Sequence, residues 1–329
     1  MFAHFDLPFI DRQDYRSGDL LPTGLAHSQY YIDIIGELLA RYPESELKFI
    51  LTTNYERLPR YGDDVVVLLF ADEMYNIPRY ADRVKWVFKT GGIRPPRPWS
   101  ISGGSLVLGA AETLREARNR LHRWRSGGEA RKGNISIIPL GPAIPHEPPT
   151  GQPPARDIDV LFAIRFASLS GFTPRPSVIA RRRMLALAER LAATPGLNVR
   201  IHSNLPHHEP PMDHAAYNAA LERSKIVLCP RGNFPETHRF YEAARAGAIP
   251  ATDVLLATDF LDACPCLRIP STNSAIAPIL DRLGAGRWEG ACRAVRDWYC
   301  QHASPQAVAE RAATTLGLAS PDNMRTTRR

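Results

Sequence analysis

The 329-residue chain is predicted to be α/β, with two domains each built on a mainly parallel sheet. Three observations lead there. Apolar strands alternate with amphipathic helices along most of the length. The run Val65-Val66-Val67-Leu68-Leu69-Phe70 is apolar on both faces, as suits a strand covered on both sides in a parallel sheet. A stretch dense in proline, from 139 to 154, separates two such series. The length itself fits two domains of roughly 100–200 residues.

In the first series, Tyr31, Ile34, Ile35, Leu38, Leu39 and Tyr42 fall on one face of a helix over 27–42. A short strand follows at 47–52, the buried strand at 64–71, and another at 84–89. A helix is expected over 112–124 with Leu114, Ala117, Leu121 and Trp124 inward, then a strand at 135–140. Pro142, Pro145, Pro148, Pro149, Pro153 and Pro154 forbid a helix or central strand after that. The domains are therefore set at 1–150 and 151–329.

The second series runs strand 158–163, helix 177–193, strand 197–201, helix 213–223, strand 225–229, helix 236–246, strand 248–252 and strand 266–269. Helices over 273–283, 288–300 and 304–316 close the chain, and the last helices are candidates to cross back to the first domain. Ser304-Pro305 reads as an N-cap and first helical position. Both domains are then Rossmann-like, with a cleft expected between them.

Formal charge is +7 and the pI about 9.3, which favours anionic ligands. The charge is not gathered into a basic arm with interleaved aromatics, so nucleic acid is not an expected partner. Five cysteines, all in the second half and odd in number, do not make a disulfide framework. The start Met-Phe-Ala-His-Phe-Asp is unlike a signal peptide, and no apolar run approaches the ~20 residues of a membrane span. A cytoplasmic protein is expected, with peripheral contact at the inner membrane face left open.

The most informative stretch runs from Ser224 to Pro250. It reads as a buried strand, a loop at 230–235, a helix, a stop at Gly247 and a further strand. The loop lies at the carboxyl end of its strand, where open α/β sheets bind ligands. Gly232 allows close backbone approach, Arg231 and Asn233 flank it, and the helix start offers unpaired N–H groups to an anion. Arg239 and Glu242 share a helix face, which suits a diphosphate grip beside a ribose acceptor. A plain surface ion pair, worth under ~1 kcal/mol, is the competing reading of the two.

Ser224, Lys225, Leu228, Pro230, Gly232, Arg239, Glu242, Ala243, Gly247, Ile249 and Pro250 resemble the C-terminal signature of exostosin-like (GT47-type) glycosyltransferases. Ala248 and Ala251 depart from it mildly. Asp159 to Ala163 and Arg181 to Leu185 resemble the first strand and helix of that family's donor domain, and the first half matches no motif. Alpha-1,3-fucosyltransferases share a comparable pattern. The resemblance implies a GT-B fold, a nucleotide-sugar donor, a saccharide or other hydroxyl acceptor, and no cofactor or metal. It also implies Arg239 on the diphosphate, Glu242 on the ribose, and inversion by single displacement.

An inverting displacement needs a base. Asp72 and Glu73 follow the 65–70 strand and are the candidates, with Asp6 as runner-up and His4, Asp11 and Asp14 behind it. Capping the next turn is the alternative use of Asp72 or Glu73. His202 and Arg165 each follow a strand and are further donor-side candidates. Asp157-Ile158-Asp159 spells a DxD motif but precedes its strand, on the wrong side for a ligand. His202, His207, His208 and His214 lack the spacing of a zinc set. Lys89-Thr90-Gly91-Gly92 is not followed by Gly-Lys-Ser/Thr, so it is no P-loop, and no Gly-x-Gly-x-x-Gly supports an oxidoreductase. The non-enzymatic alternative is a sugar-nucleotide-binding or scaffolding protein of the same fold.

Overall fold

The computed structural model describes residues 6–10, 28–70, 75–93, 106–125, 134–144, 155–164, 175–232, 234–269 and 276–318. The chain divides into two compact units. One holds residues to 95, 119–143 and 302 onward; the other holds 96–118 and 144–301. Residues 96–118 thus group with the second unit, although the composition alone sets them in the first domain.

The first unit carries a sheet of β1 (Asp6–Ile10), β2 (Lys48–Thr52), β3 (Gly62–Leu69), β4 (Val84–Lys89) and β5 (Ile135–Ile137), in that spatial order. All neighbours are parallel except β1, which runs antiparallel to β2. The apolar run of β3 explains itself here. Val66, Leu68 and Phe70 join a cluster with Tyr31, Ile34, Ile35 and Leu38 of α1 (Gln29–Arg41), on one face of the sheet. Val65, Val67 and Leu69 join a second cluster with Ile50, Tyr80 and Val87 on the other. With period 2 along a strand, only a continuous apolar run can serve both faces.

The α1 side is completed from the far end of the chain. Val308, Ala309, Ala312 and Ala313 of α9 (Pro305–Thr315) belong to the same cluster as Tyr31 and Ile35. Their small side chains let the two helix backbones come close. Ser304 caps α9, accepting from the Ala307 N–H at 3.2 Å, and Pro305 occupies the first turn as the sequence predicts. Tyr30 Oη donates to the Ala303 carbonyl at 2.7 Å and Tyr31 Oη to that of Leu140 at 2.8 Å. Gly141 has φ +69°, and a Cβ there would come within 2.3 Å of the Tyr30 ring, so only glycine fits.

The helix expected over 112–124 runs Leu106–Arg125 (α2), and its predicted inward face is reversed. Leu114 and Leu121 are 60% and 45% exposed, and Ala117 is exposed too, while Leu108, Ala111, Glu112 and Asn119 are buried. The reason is electrostatic. Glu112 turns inward to meet Arg231 and Arg115, and an acid on the buried face cannot be read from apolar periodicity. The side chain of Trp124 lies outside the described residues.

The second unit is built on β6 (Ile158–Ile164), β7 (Val199–Ser203), β8 (Ser224–Leu228), β9 (Ile249–Thr252) and β10 (Leu267–Arg268). All pairs are parallel and the spatial order is β10-β9-β8-β6-β7. Between them run α3 (Pro176–Ala192), α4 (His214–Glu222), α5 (His238–Arg245) and the short α6 (Asp259–Asp262), followed by α7 (Ile276–Leu283) and α8 (Arg287–Trp298). Each predicted strand of this half is present to within two residues or so. The sheet grows outward in opposite directions from β6 and β8, so the topological switch point lies between these two strands.

The α/β class with two mainly parallel sheets, expected of a GT-B chain, is the class observed. At the entry edge of the second sheet, Asp157 binds Arg223 through both oxygens, with Nε at 2.8 Å, and Asp159 binds Lys225 at 2.6 Å. The DxD residues thus tie β6 to β8 at the end remote from the ligand edge.

Candidate functional site

The carboxyl ends of β6 and β8 flank the switch point, and the chain leaving β8 supplies the 229–237 loop. Cys229 N–H still pairs with the Ala251 carbonyl at 2.8 Å, so the loop starts from a fixed strand end. Gly232 N–H donates to the Phe234 carbonyl at 3.0 Å, folding the loop back on itself. A Cβ on Gly232 would meet nothing nearer than 3.8 Å, so no neighbour within the chain requires glycine there. Asn233 lies outside the described residues.

The loop delivers the chain to the N-terminus of α5. Thr237 sits at the N-cap in extended conformation without a side-chain cap bond, and the first turn holds no acid. The Phe240 N–H closes on the Thr237 carbonyl at 3.1 Å, and the positive end of the helix dipole lies at this end. The other end is closed: Gly247 has φ +72°, its N–H reaches Ala244, and Ala248 N–H reaches Ala243 at 2.9 Å, a Schellman stop. Arg156 Nη2 donates to the Ala246 carbonyl at 2.7 Å and braces that end.

Arg239 stands in the first turn of α5 and is partly buried. Its Nε is shielded from solvent with no hydrogen-bond partner. Arg181, in the second turn of α3, has its Nε shielded and unbonded in the same way. The two guanidinium groups feel each other: burial first, and then the charge of Arg239, hold Arg181 below the ordinary arginine range. They belong to the helices that follow β6 and β8, on either side of the switch point. Cations brought together with unused N–H groups form a receptor for an anion. In the sequence Arg181 stands out only through the family resemblance. Its signal was available in Arg181-Arg182-Arg183 near the start of the helix after the unit's first strand.

Glu242 lies one turn beyond Arg239 and is 4% exposed. Its carboxylate accepts from Tyr217 Oη at 3.0 Å and from the Ile144 N–H at 3.4 Å. Arg245 Nη1 donates to the Ile144 carbonyl at 2.8 Å, so α5 grips both polar groups of that residue. The Tyr217 hydroxyl is pushed well above its usual range, by burial first and then by the Glu242 charge. The Cys229 thiol is also pushed up by burial, with Arg239 opposing. Glu236 accepts from Tyr241 Oη and is buried with it.

Arg231 is 0% exposed and ion-paired with Glu112, which also meets Arg115 at 2.7 Å. Burial raises the Glu112 carboxyl despite both arginines, and raises Asp253 despite Arg231. Arg231, itself part of the loop, is thus engaged inside the unit. His202, at the end of β7, has Nδ1 2.9 Å from the Pro210 carbonyl and Nε2 3.3 Å from Glu209, so both ring nitrogens are held by its own loop.

In the first unit, Lys89 Nζ donates to the carbonyls of Thr90 at 3.0 Å and Gly92 at 2.7 Å, which makes it a brace for its own turn. Asp6 pairs with Thr52 on β1, and its side chain lies outside the described residues. Asp72, Glu73 and Arg165, also singled out from the sequence, lie outside them entirely. Among the described residues no group of three or more His, Cys, Asp or Glu could hold a metal.

A family model described as the RXYLT1 C-terminal domain matches residues 179–275, which run from α3 to the segment before α7. None of the curated proteins compared with the chain matches it. Among solved structures, the chain resembles the pneumococcal O-GlcNAc transferase GtfA in complex with UDP and GlcNAc, at 12% identity and a TM-score of 0.45, over 78% of this chain and 57% of that one. It thus spans little more than half the length of GtfA. It resembles the spinosyn rhamnosyltransferase SpnG complexed with thymidine diphosphate, at 15% identity and a TM-score of 0.38, over 90% and 77%. The glycosyltransferase SnogD from Streptomyces nogalater is similar at 12% identity and a TM-score of 0.35, over 93% and 84%.

Proposed function

We propose that this chain is a nucleotide-sugar-dependent glycosyltransferase of the GT-B type, with the donor diphosphate held at the switch point between β6 and β8. The observation that carries the reading is the pair Arg181 and Arg239, whose shielded Nε groups carry no hydrogen bond, beside the uncapped start of α5. The signature around Ser224 to Pro250 and the RXYLT1 C-terminal domain match support the same reading.

In the proposed reaction the acceptor oxygen bonds to the anomeric carbon as the bond from that carbon to the diphosphate oxygen breaks. The configuration inverts and the acceptor proton passes to a carboxylate, for which Asp72 and Glu73 are proposed and Asp6 is the runner-up. Charge builds on the departing diphosphate, where the two guanidinium groups and the α5 N–H groups oppose it. Acceptors of this class are saccharide, lipid-linked or small-molecule hydroxyls. Arg231 and Glu242 serve the site from behind: Arg231 supports the loop through Glu112, and Glu242 fixes α5 against Tyr217 and Ile144. A ribose reaching Glu242 would share its carboxylate with the Tyr217 hydroxyl and the Ile144 N–H.

Thermal-shift screening against UDP, GDP, TDP and CMP sugars, followed by product analysis with acceptor mixtures, tests the proposal. One nucleotide sugar should raise the melting temperature, inorganic pyrophosphate should compete with it, and a glycosylated product should appear. Binding without transfer or hydrolysis would favour the scaffolding alternative. A failure of every nucleotide and of pyrophosphate to bind would remove the donor site.

A further inference from the structure

Among the described residues, four of the five large apolar side chains that are exposed stand on one helix: Leu106, Val107, Leu114 and Leu121 of α2, at 77, 57, 60 and 45%. Val107, Leu114 and Leu121 are spaced by seven and line up along one face, and the exposed Ala110 and Ala117 fill the gaps between them. The stripe is roughly 21 Å long, at ~1.5 Å per residue. An apolar face of that extent on a helix is unusual unless something covers it.

The charge around the stripe says what that is. The helix contains Arg115, Arg118, Arg120, Arg123 and Arg125 against only Glu112 and Glu116. Glu112 is buried and paired inward, so it does not offset the outer face. Arg118 and Arg120 are exposed and border the stripe, roughly 40° and 120° from Leu114 on opposite sides. A second copy docking here would set arginine against arginine. An anionic bilayer would accept the leucines into its acyl boundary and the guanidinium groups among its headgroups. No helix among the described residues is long and apolar enough to cross a membrane.

We propose that the outer face of α2 is a docking surface for an anionic lipid membrane. The contact does not depend on the donor site and would stand if the sugar-transfer reading failed. Flotation of the full chain with phosphatidylcholine vesicles, alone or with about 30% phosphatidylglycerol, tests it. Binding should require the anionic lipid and weaken as salt is raised. Replacing Arg118 and Arg120 by Gln should lower binding about tenfold or more. Leu114→Ser with Leu121→Ser should lower it at least about tenfold while leaving the urea midpoint unchanged, because both side chains already face solvent. Absence of flotation, or flotation indifferent to the leucine replacements, would overturn the proposal. So would a dimer in solution that Leu114→Ser converts to monomer, since the face would then be a self-interface.

Discussion

Replacing Arg239 by Met should make the nucleotide-free protein more stable and its donor binding weaker. Met keeps most of the alkyl stem and removes the charge. The Arg239 charge acts on that of Arg181, and its Nε is shielded without a hydrogen bond. Relief of that repulsion amounts to on the order of 1 kcal/mol at the intermediate effective dielectric of a partly buried site. For a domain of ~150–250 residues this raises the melting temperature by about 2–4 °C. The loss on the binding side is larger. A charge-assisted hydrogen bond is worth about 1.5–3 kcal/mol, which corresponds to a rise in Kd of about 10- to 150-fold. Thermal unfolding with and without a titrated nucleotide sugar reads both quantities from one preparation. Arg181→Met should behave alike, and the stabilisation in the double variant should fall short of the sum, because either change alone relieves the repulsion. A lower melting temperature in the empty single variant would show that the guanidinium is held in structural contacts. Together with an unchanged Kd, it would refute the paired-cation site.

Gly232→Ala should leave stability within about 0.5 kcal/mol, since its Cβ would sit 3.8 Å from its nearest neighbours, yet weaken donor binding; equal donor affinity would show that no ligand approaches the backbone there. Gly141→Ala should destabilise the first unit by more than about 2 kcal/mol in urea unfolding, because the Tyr30 ring lies 2.3 Å from the new Cβ and φ is +69°. Glu112→Ala should cost about 3 kcal/mol, as it removes a buried carboxylate that is ion-paired with the buried Arg231. Glu112 is raised in the fold above its ordinary value of 4.5, mainly by burial, so it holds its proton more tightly folded than unfolded. Its contribution to stability is present below that ordinary value and is lost as pH rises through the folded one. Wild type should therefore gain on Glu112→Gln as pH falls towards about 4.5, which paired denaturation curves across pH would reveal, and a difference that does not change with pH would count against the raised carboxyl.

Regular structure was legible wherever one physical demand dominated. The β3 run reads as a doubly covered strand because both of its faces must be apolar, and the two clusters that share it are the proof. Gly247 and Ser304-Pro305 announced helix ends because a left-handed residue and a first-turn proline each have few other uses. The face of α2 was misread because Glu112 counts as outward in any apolar pattern, and only the position of Arg231, over a hundred residues later, turns it inward. Arg239 was named from its place after a glycine loop. Arg181 was not named for the site, because the switch point that gives it a role appears only once the strand order is known. Glu242 shows the reverse limit: its helix position was right, but its contacts with Tyr217 and the backbone of Ile144 are tertiary and leave no trace in local spacing.

The helix that closes the first hydrophobic cluster is supplied by residues 305–315, after the whole of the second unit has been made. On a ribosome releasing the chain from its N-terminus, the earlier-made half must therefore wait with the apolar side of α1 bare, while all five strands of the later-made half, β6 to β10, have already been synthesised. Maturation should run backwards with respect to synthesis. A stop codon just after Gln301 would then harm the half of the protein farthest from it along the sequence.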